Sequence, residues 1–160
     1  MMALINKISL NKIVLVFVIP LFLFSACTQI NLYEKNISIP NLKWLNNFNA
    51  SGTFSLVDTN TNYNVYLVLR HTDAYMYNNI WLNVGLQIPG DSMKYQKLNI
   101  PLGADATGWY GIGMNDIWEH RKLLATLPLK KGNYNFNISQ IMRDNPLLHV
   151  MSVGLRIEKR

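Results

Sequence analysis

The stretch Asn62-Tyr63-Asn64-Val65-Tyr66-Leu67-Val68-Leu69-Arg70 decides the fold. Tyr63, Val65, Leu67 and Leu69 fall on one side of an extended chain and Asn64, Tyr66, Val68 and Arg70 on the other, which is the two-residue period of a strand. The same reading applies to Thr53–Asp58, Tyr75–Ile88, Lys94–Leu102, Tyr134–Ile138 and His149–Glu158. Turn signals at Asn60–Asn62, Pro89-Gly90-Asp91, Gly103–Gly108 and Lys131-Gly132-Asn133 separate these runs at sandwich spacing rather than at the spacing of strand-helix units. The expected fold is all-β: an antiparallel, jelly-roll-like β-sandwich with one or two short connecting helices. The helix candidates are Asn115–Ala125, with Asn115 as cap and Ile117, His120, Arg121 and Leu124 at helical spacing, and a turn over Ser139–Asp144 opening on a serine cap. Tyr134 suits the anchor of a sandwich corner, and Gly111 and Gly113 suit a turn or a close backbone approach.

Upstream of the strands the chain has a different character. Lys7 and Lys12 precede an apolar run from Ile13 to Phe24, which ends in Phe24-Ser25-Ala26-Cys27. That order predicts an export signal over residues 1–26. The run is shorter than the roughly 20 residues that span a bilayer, and Pro20 interrupts it. Small residues directly before a cysteine resemble a lipobox, with Phe24 where leucine is usual. Cys27 is then the diacylated first residue of the mature chain, and it is the only cysteine, so an intramolecular disulfide is excluded. Acyl chains contribute about 0.8 kcal/mol per buried methylene, which makes two or three of them a lasting anchor. Residues 27–49, polar and irregular with Pro40, read as a tether on which Ile37, Ile39, Trp44 and Phe48 could dock to the core. Residues 50–160 then read as a single domain, in keeping with a 160-residue chain that is 49% hydrophobic and 15% charged.

The net charge of +6 includes the two lysines of the signal, and the remaining basic residues are scattered. No basic run interleaves with aromatics as a nucleic-acid groove requires, so nucleic acid is not an expected partner. No G-x-S-x-G, H-E-x-x-H or phosphate-binding glycine loop occurs. Glu119 and His120 beside Trp118 read as surface or cap residues rather than an acid–base pair. Asp105 and Asp116 flank Gly108-Trp109-Tyr110-Gly111 and would serve glycoside cleavage only if they converged. Asp58, Asn60 and Asn62 suit a hairpin turn better than a calcium site. No metal or cofactor is expected, and no catalytic residue. The candidate ligand or partner surface is aromatic: Tyr75, Tyr77 and Trp81 alternate along one predicted strand, and Trp109, Tyr110 and Trp118 follow. Exposed rings would stack on sugars, and buried rings would fill the core. Arg70, Arg143 and Arg156 suit buried or interfacial ion pairs. Asp91-Ser92-Met93 resembles a short O-glycosylation sequon of exported proteins.

Taken together, Leu69-Arg70, the run Tyr75–Leu82, Gly108-Trp109-Tyr110-Gly111-Ile112-Gly113, Gly132-Asn133-Tyr134, Ile138–Asn145 and Val153–Glu158 resemble the gliding motility lipoprotein family GldH. The resemblance implies a Bacteroidetes cell-envelope lipoprotein needed for gliding over surfaces, a process linked to type IX secretion, and it implies no enzyme activity. The expected protein is a non-enzymatic accessory or assembly component, held to membrane lipid through acylated Cys27 and partnered by other gliding or secretion proteins of the envelope. A glycan-binding module is the alternative. Thr28-Gln29-Ile30 after the cysteine, with neither an early aspartate nor an acidic run, points to the periplasmic leaflet of the outer membrane.

Overall fold

The computed structural model describes residues 32–57 and 61–160. Along the chain run β1 (Leu32–Ser38), β2 (Lys43–Trp44), β3 (Ala50–Leu56), β4 (Asn62–Thr72), β5 (Asn79–Gln87), β6 (Lys94–Pro101) and β7 (Gly103–Ala104). They are followed by β8 (Gly108–Trp109), β9 (Ile112–Met114), β10 (Ile117–Pro128), β11 (Gly132–Gln140), β12 (Leu147–Leu148) and β13 (Val150–Lys159). Two antiparallel sheets carry the fold, in the orders β1-β13-β4-β10-β9 and β3-β11-β5-β6. The pairs β2–β12 and β7–β8 form small additional ribbons.

The alternation that opens the sequence argument is realised in β4, whose Tyr63, Val65, Leu67 and Leu69 are buried. Val153, Leu155 and Ile157 of β13 join them, and Phe54, Ile80, Leu82, Val84, Phe136 and Ile138 close the core from the second sheet. Phe54 and Tyr134 stack with centroids 4.8 Å apart, a geometry that adds to the area these rings bury. Tyr134 donates its hydroxyl to the Lys130 carbonyl at 2.7 Å, four residues upstream, and so fixes the passage from β10 into β11.

Four expectations change. Asn115–Ala125 is not a helix: Asn115, at φ 56, turns the β9–β10 hairpin, and residues from Ile117 onward pair with β4 along its whole length. A bulge at Leu124 shifts the register between Leu123 and Ala125. Ile117 lies on the outer face with Glu119 and Arg121, whereas His120 and Leu124 face the core, so the helix-like spacing combines residues of two opposite faces. Ser139–Asp144 is not a helical turn either, because β11 runs through Gln140, whose side chain then ties the bend. Its Nε2 donates to the carbonyls of Trp44 and Asp144, and its Oε1 accepts from the Met142 amide. The strand expected from Tyr75 begins only at Asn79, so Tyr75 and Tyr77 lie in the preceding loop.

The domain also starts before Ala50. β1 pairs with β13 over seven positions, from Leu32 opposite Glu158 to Ser38 opposite Ser152, and Ile39, Trp44 and Ala50 are core residues. Residues Asn31–Arg160 form one compact unit. Of the segment read as a tether, the part from Leu32 onward is therefore sheet and core. The expected signal over residues 1–26, Cys27, and the turn residues Asp58 and Asn60 lie outside the described residues.

Candidate functional site

Antiparallel register sorts the loops into two ends. The near end holds the start of β1, the β5–β6 and β10–β11 turns and the C-terminus. The far end holds the segments after β4, around β7–β9 and between β11 and β13. The aromatic candidates belong to the far end, in two groups.

The first group surrounds a buried histidine pair that β4 and β10 set side by side. His71 Nε2 and His120 Nε2 are 2.8 Å apart, and His71 Nδ1 lies 2.8 Å from the Thr72 carbonyl. A carbonyl only accepts, so Nδ1 of His71 carries hydrogen, its Nε2 is a lone pair, and His120 Nε2–H donates to it. Burial pushes the His120 imidazole down to about 4, with His71 adding to the effect. Burial lowers His71 as well, against the Thr72 carbonyl and Asp73. Both rings are therefore neutral near pH 7, as the single N–H···N bond requires.

Trp109 packs edge-on against His71 at 4.5 Å, and Tyr75 lies 5.1 Å from the same ring. Tyr75 is buried, its hydroxyl donating to the Asn79 carbonyl. One carboxylate oxygen, Oδ1 of Asp73, accepts the indole N–H of both Trp109, at 2.9 Å, and Trp118, at 3.1 Å. This bracket ties β8, β10 and the turn after β4 together. Gly111 and Gly113 allow it by close approach: a Cβ at Gly111 would stand 2.5 Å from the Glu119 carbonyl oxygen, and one at Gly113 would stand 2.9 Å from the Trp118 ring.

The second group lies around the end of β11. Tyr77 donates its hydroxyl to Asp144, which raises the tyrosine's pKa. Tyr77 and Trp81 line a groove of about 540 Å³ with Ile141, Met142, Arg143 and Asp144. Trp81 is 42% exposed and Tyr110 is 58% exposed, whereas Tyr75 is buried. The six aromatics thus do not share one face, and Tyr75, Tyr77 and Trp81 do not form an exposed row.

Several carboxylates are engaged structurally, and Asp116 takes part through its backbone. Asp105 accepts from the Asn78 amide, and the Asp116 carbonyl accepts the Asp73 backbone N–H. Glu119 bridges Arg70 and Arg121 on the outer face of the larger sheet, and Arg156 bridges Glu34 and Glu158. Among the described residues, Arg143 makes no ion pair, and no three His, Cys, Asp or Glu side chains gather as a metal would need. The sequence reading missed His71 and Asp73 because each acquires its role only through partners 36 to 49 residues away. Beyond the brackets, the far end presents large apolar side chains to water: Met76, Tyr110, Ile112 and Met114. Ile112, Met114, Ile117 and Met151 enclose a groove of about 400 Å³ beside the Arg70–Glu119–Arg121 bridge.

A family model described as GldH lipoprotein matches residues 31–157. The chain belongs to the GldH lipoprotein family. A "Gliding motility lipoprotein GldH homolog" of Christiangramia forsetii is 27% identical over 91% of this chain and 94% of its own length. A "Gliding motility lipoprotein GldH" of Flavobacterium johnsoniae is 24% identical over 86% of this chain and 91% of its own. Among solved structures, the infectious bursal disease virus VP2 subviral particle aligns at 11% identity and a TM-score of 0.28, over 82% of this chain and 34% of that chain. At that TM-score the alignment carries no argument. Of the segments that resemble GldH, those around Tyr75–Leu82, Gly108–Gly113 and Ile138–Asn145 build the far end.

Proposed function

We propose that this protein is a lipid-anchored component of the cell envelope required for gliding motility, and that it works as a non-enzymatic accessory or assembly partner of the gliding and type IX secretion machinery. The single observation that carries the reading is the family match over residues 31–157 together with the names of the two relatives. The arrangement of the far end supports it. The histidine pair and the Asp73 bracket tie the loops of this end together, and the exposed Met76, Tyr110, Ile112 and Met114 suit a protein partner. Acylated Cys27 holds the chain to the periplasmic leaflet of the outer membrane, five residues ahead of the start of β1.

Deleting the gene and measuring colony spreading together with secretion of type IX substrates tests the function. Loss of spreading is expected, and normal behaviour in both would refute the proposal. Replacing Cys27 by serine tests the anchor, with release of the protein from the membrane fraction expected.

A glycan-binding reading now rests on Trp81 beside Arg143 and Asp144, since Tyr75 is buried and the Tyr77 hydroxyl is committed to Asp144. Titration with oligosaccharides, followed by quenching of Trp81 fluorescence, distinguishes it.

A further inference from the structure

The sandwich closes at its far end and stays open along one side toward its near end. Ile100, Leu98, Gln96 and Lys94 stand opposite Ile80, Leu82, Val84 and Leu86 in the β5–β6 register, so all four belong to the inner face of β6. Their burial falls steadily in that order: Ile100 is buried, Leu98 is half-buried, and Gln96 and Lys94 are exposed. Across the gap, β9 covers β10 only from Ile117 to Glu119, and among the described residues no strand neighbours the outer edge of β10 beyond it. A cleft of about 490 Å³ lies between these two edges. Its floor is core, made by Val65, Val84 and Leu155, and its walls include Leu98, Leu124 and Leu127.

We infer that this cleft is a binding site for one fatty acyl chain, taken from a bilayer lipid. The volume falls in the range that holds a single small ligand, and the lining is mainly aliphatic; its polar side chains, Lys94, Tyr95 and Gln96, all come from the exposed start of β6 rather than converging from several elements as a sugar or nucleotide site would demand. An added peptide strand is disfavoured by the bulge at Leu124, which breaks the hydrogen-bonding edge while turning a leucine into the cleft. An acyl chain needs no such edge, and every methylene moved onto the floor leaves water. Lys94 stands at the rim with Asp91 as its partner, a polar boundary of the kind a lipid headgroup meets.

Position supplies the source. Leu32 stands opposite Glu158, Glu158 opposite Asn64, and Asn64 opposite Thr126, so the start of β1 and the Leu127 wall share one end of the sheet. Three strand spacings separate them, about 14 Å. Cys27 precedes Leu32 by five residues, a reach of at most about 17 Å. A lipid on Cys27 therefore leaves the mouth of the cleft at most about 31 Å along these two spans from the anchor, within reach of the bilayer. The inference rests on the lipid anchor proposed above, and the test separates the two.

The full lipidated chain is reconstituted in phosphatidylethanolamine vesicles containing a phosphatidylethanolamine with a diazirine in its acyl chain, irradiated, and mapped by peptide mass spectrometry. Adducts are expected on the segments 96–98 and 124–127, reduced at least tenfold by Ala125→Phe, which fills the cleft from β10. Gln96→Phe, at an exposed position of β6, provides a second filler that does not disturb the core. Adducts that scatter over the near-end loops, or that persist unchanged in both variants, overturn the assignment. A second arm uses chain from cells fed a diazirine fatty acid, in plain vesicles. Cleft adducts there and none in the first arm would overturn the bilayer source and assign the cleft to the protein's own lipid. The intact mass reports the Cys27 lipid independently, so a missing lipid would remove the anchor while the first arm still reads the cleft.

Discussion

Lowering the pH from about 7.5 to about 4.5 should cost this domain about 2.5 kcal/mol through His120 alone. In the unfolded chain its imidazole takes up a proton near 6.5, and in the fold only near 4. Between those values the unfolded state binds more protons, so stability is full above the unfolded value and is lost as pH falls through the window. The gap of about 2.5 units at 1.36 kcal/mol each sets a ceiling of about 3.4 kcal/mol, most of it reached by pH 4.5. The geometry makes the cost specific. A first added proton can settle on His120 Nδ1 without breaking the bond to His71, whereas a second must sit between two cationic rings whose nitrogens are 2.8 Å apart. Urea midpoints, read by tryptophan fluorescence at both pH values, give the difference for the native chain and for His120→Gln, which keeps a donor toward His71 but cannot titrate. The loss is expected to be larger in the native chain by about 2.5 kcal/mol, with carboxylates common to both chains cancelling. Equal pH dependence in the two chains would refute the reasoning.

Three further outcomes follow from the packing. Phe136→Ala removes a fully buried ring from the centre of the smaller sheet and should cost about 3–5 kcal/mol in chemical denaturation. Asp73→Ala leaves both indole donors of the bracket without their acceptor, and a loss of about 1–2 kcal/mol is expected in thermal melts, with a shift in tryptophan emission. The pair Ile112→Glu and Met114→Glu lies on exposed positions and should leave the melting temperature within about 2 °C, yet abolish colony spreading if the far end is the partner surface.

The strands of the core were legible because burial on one face writes itself into the chain at every second residue, as β4 and β11 show. The β9–β10 hairpin was not. Its turn is made by a left-handed asparagine that mimics a helix cap, and its strand carries apolar residues on both faces, Ile117 outside and Leu124 inside, which together read as one helical face. The loop that holds Tyr75 and Tyr77 reads as strand for a related reason: alternating aromatics signal burial, and here burial comes from contact with His71 and Asp144 rather than from a ladder. Leu42 and His149 illustrate a third limit. Both are left-handed, at φ 56 and 69, and the His149 amide donates to the Leu42 carbonyl. Leucine does not announce such a conformation, and the surrounding sheet holds both residues in place.

The pairing of β1 with β13 sets how the molecule bears load. A domain pulled between the start of β1 and its far end is loaded along its strands, and β1 is the first strand to feel the tension. Hydrogen bonds of an antiparallel ladder run across the strands, so such a pull shears the seven paired positions from Leu32 to Ser38 together instead of unzipping them in turn. The same ladder pulled sideways would peel one rung after another. A pull between the anchor and the partner surface proposed above would therefore load the domain in its mechanically stronger direction.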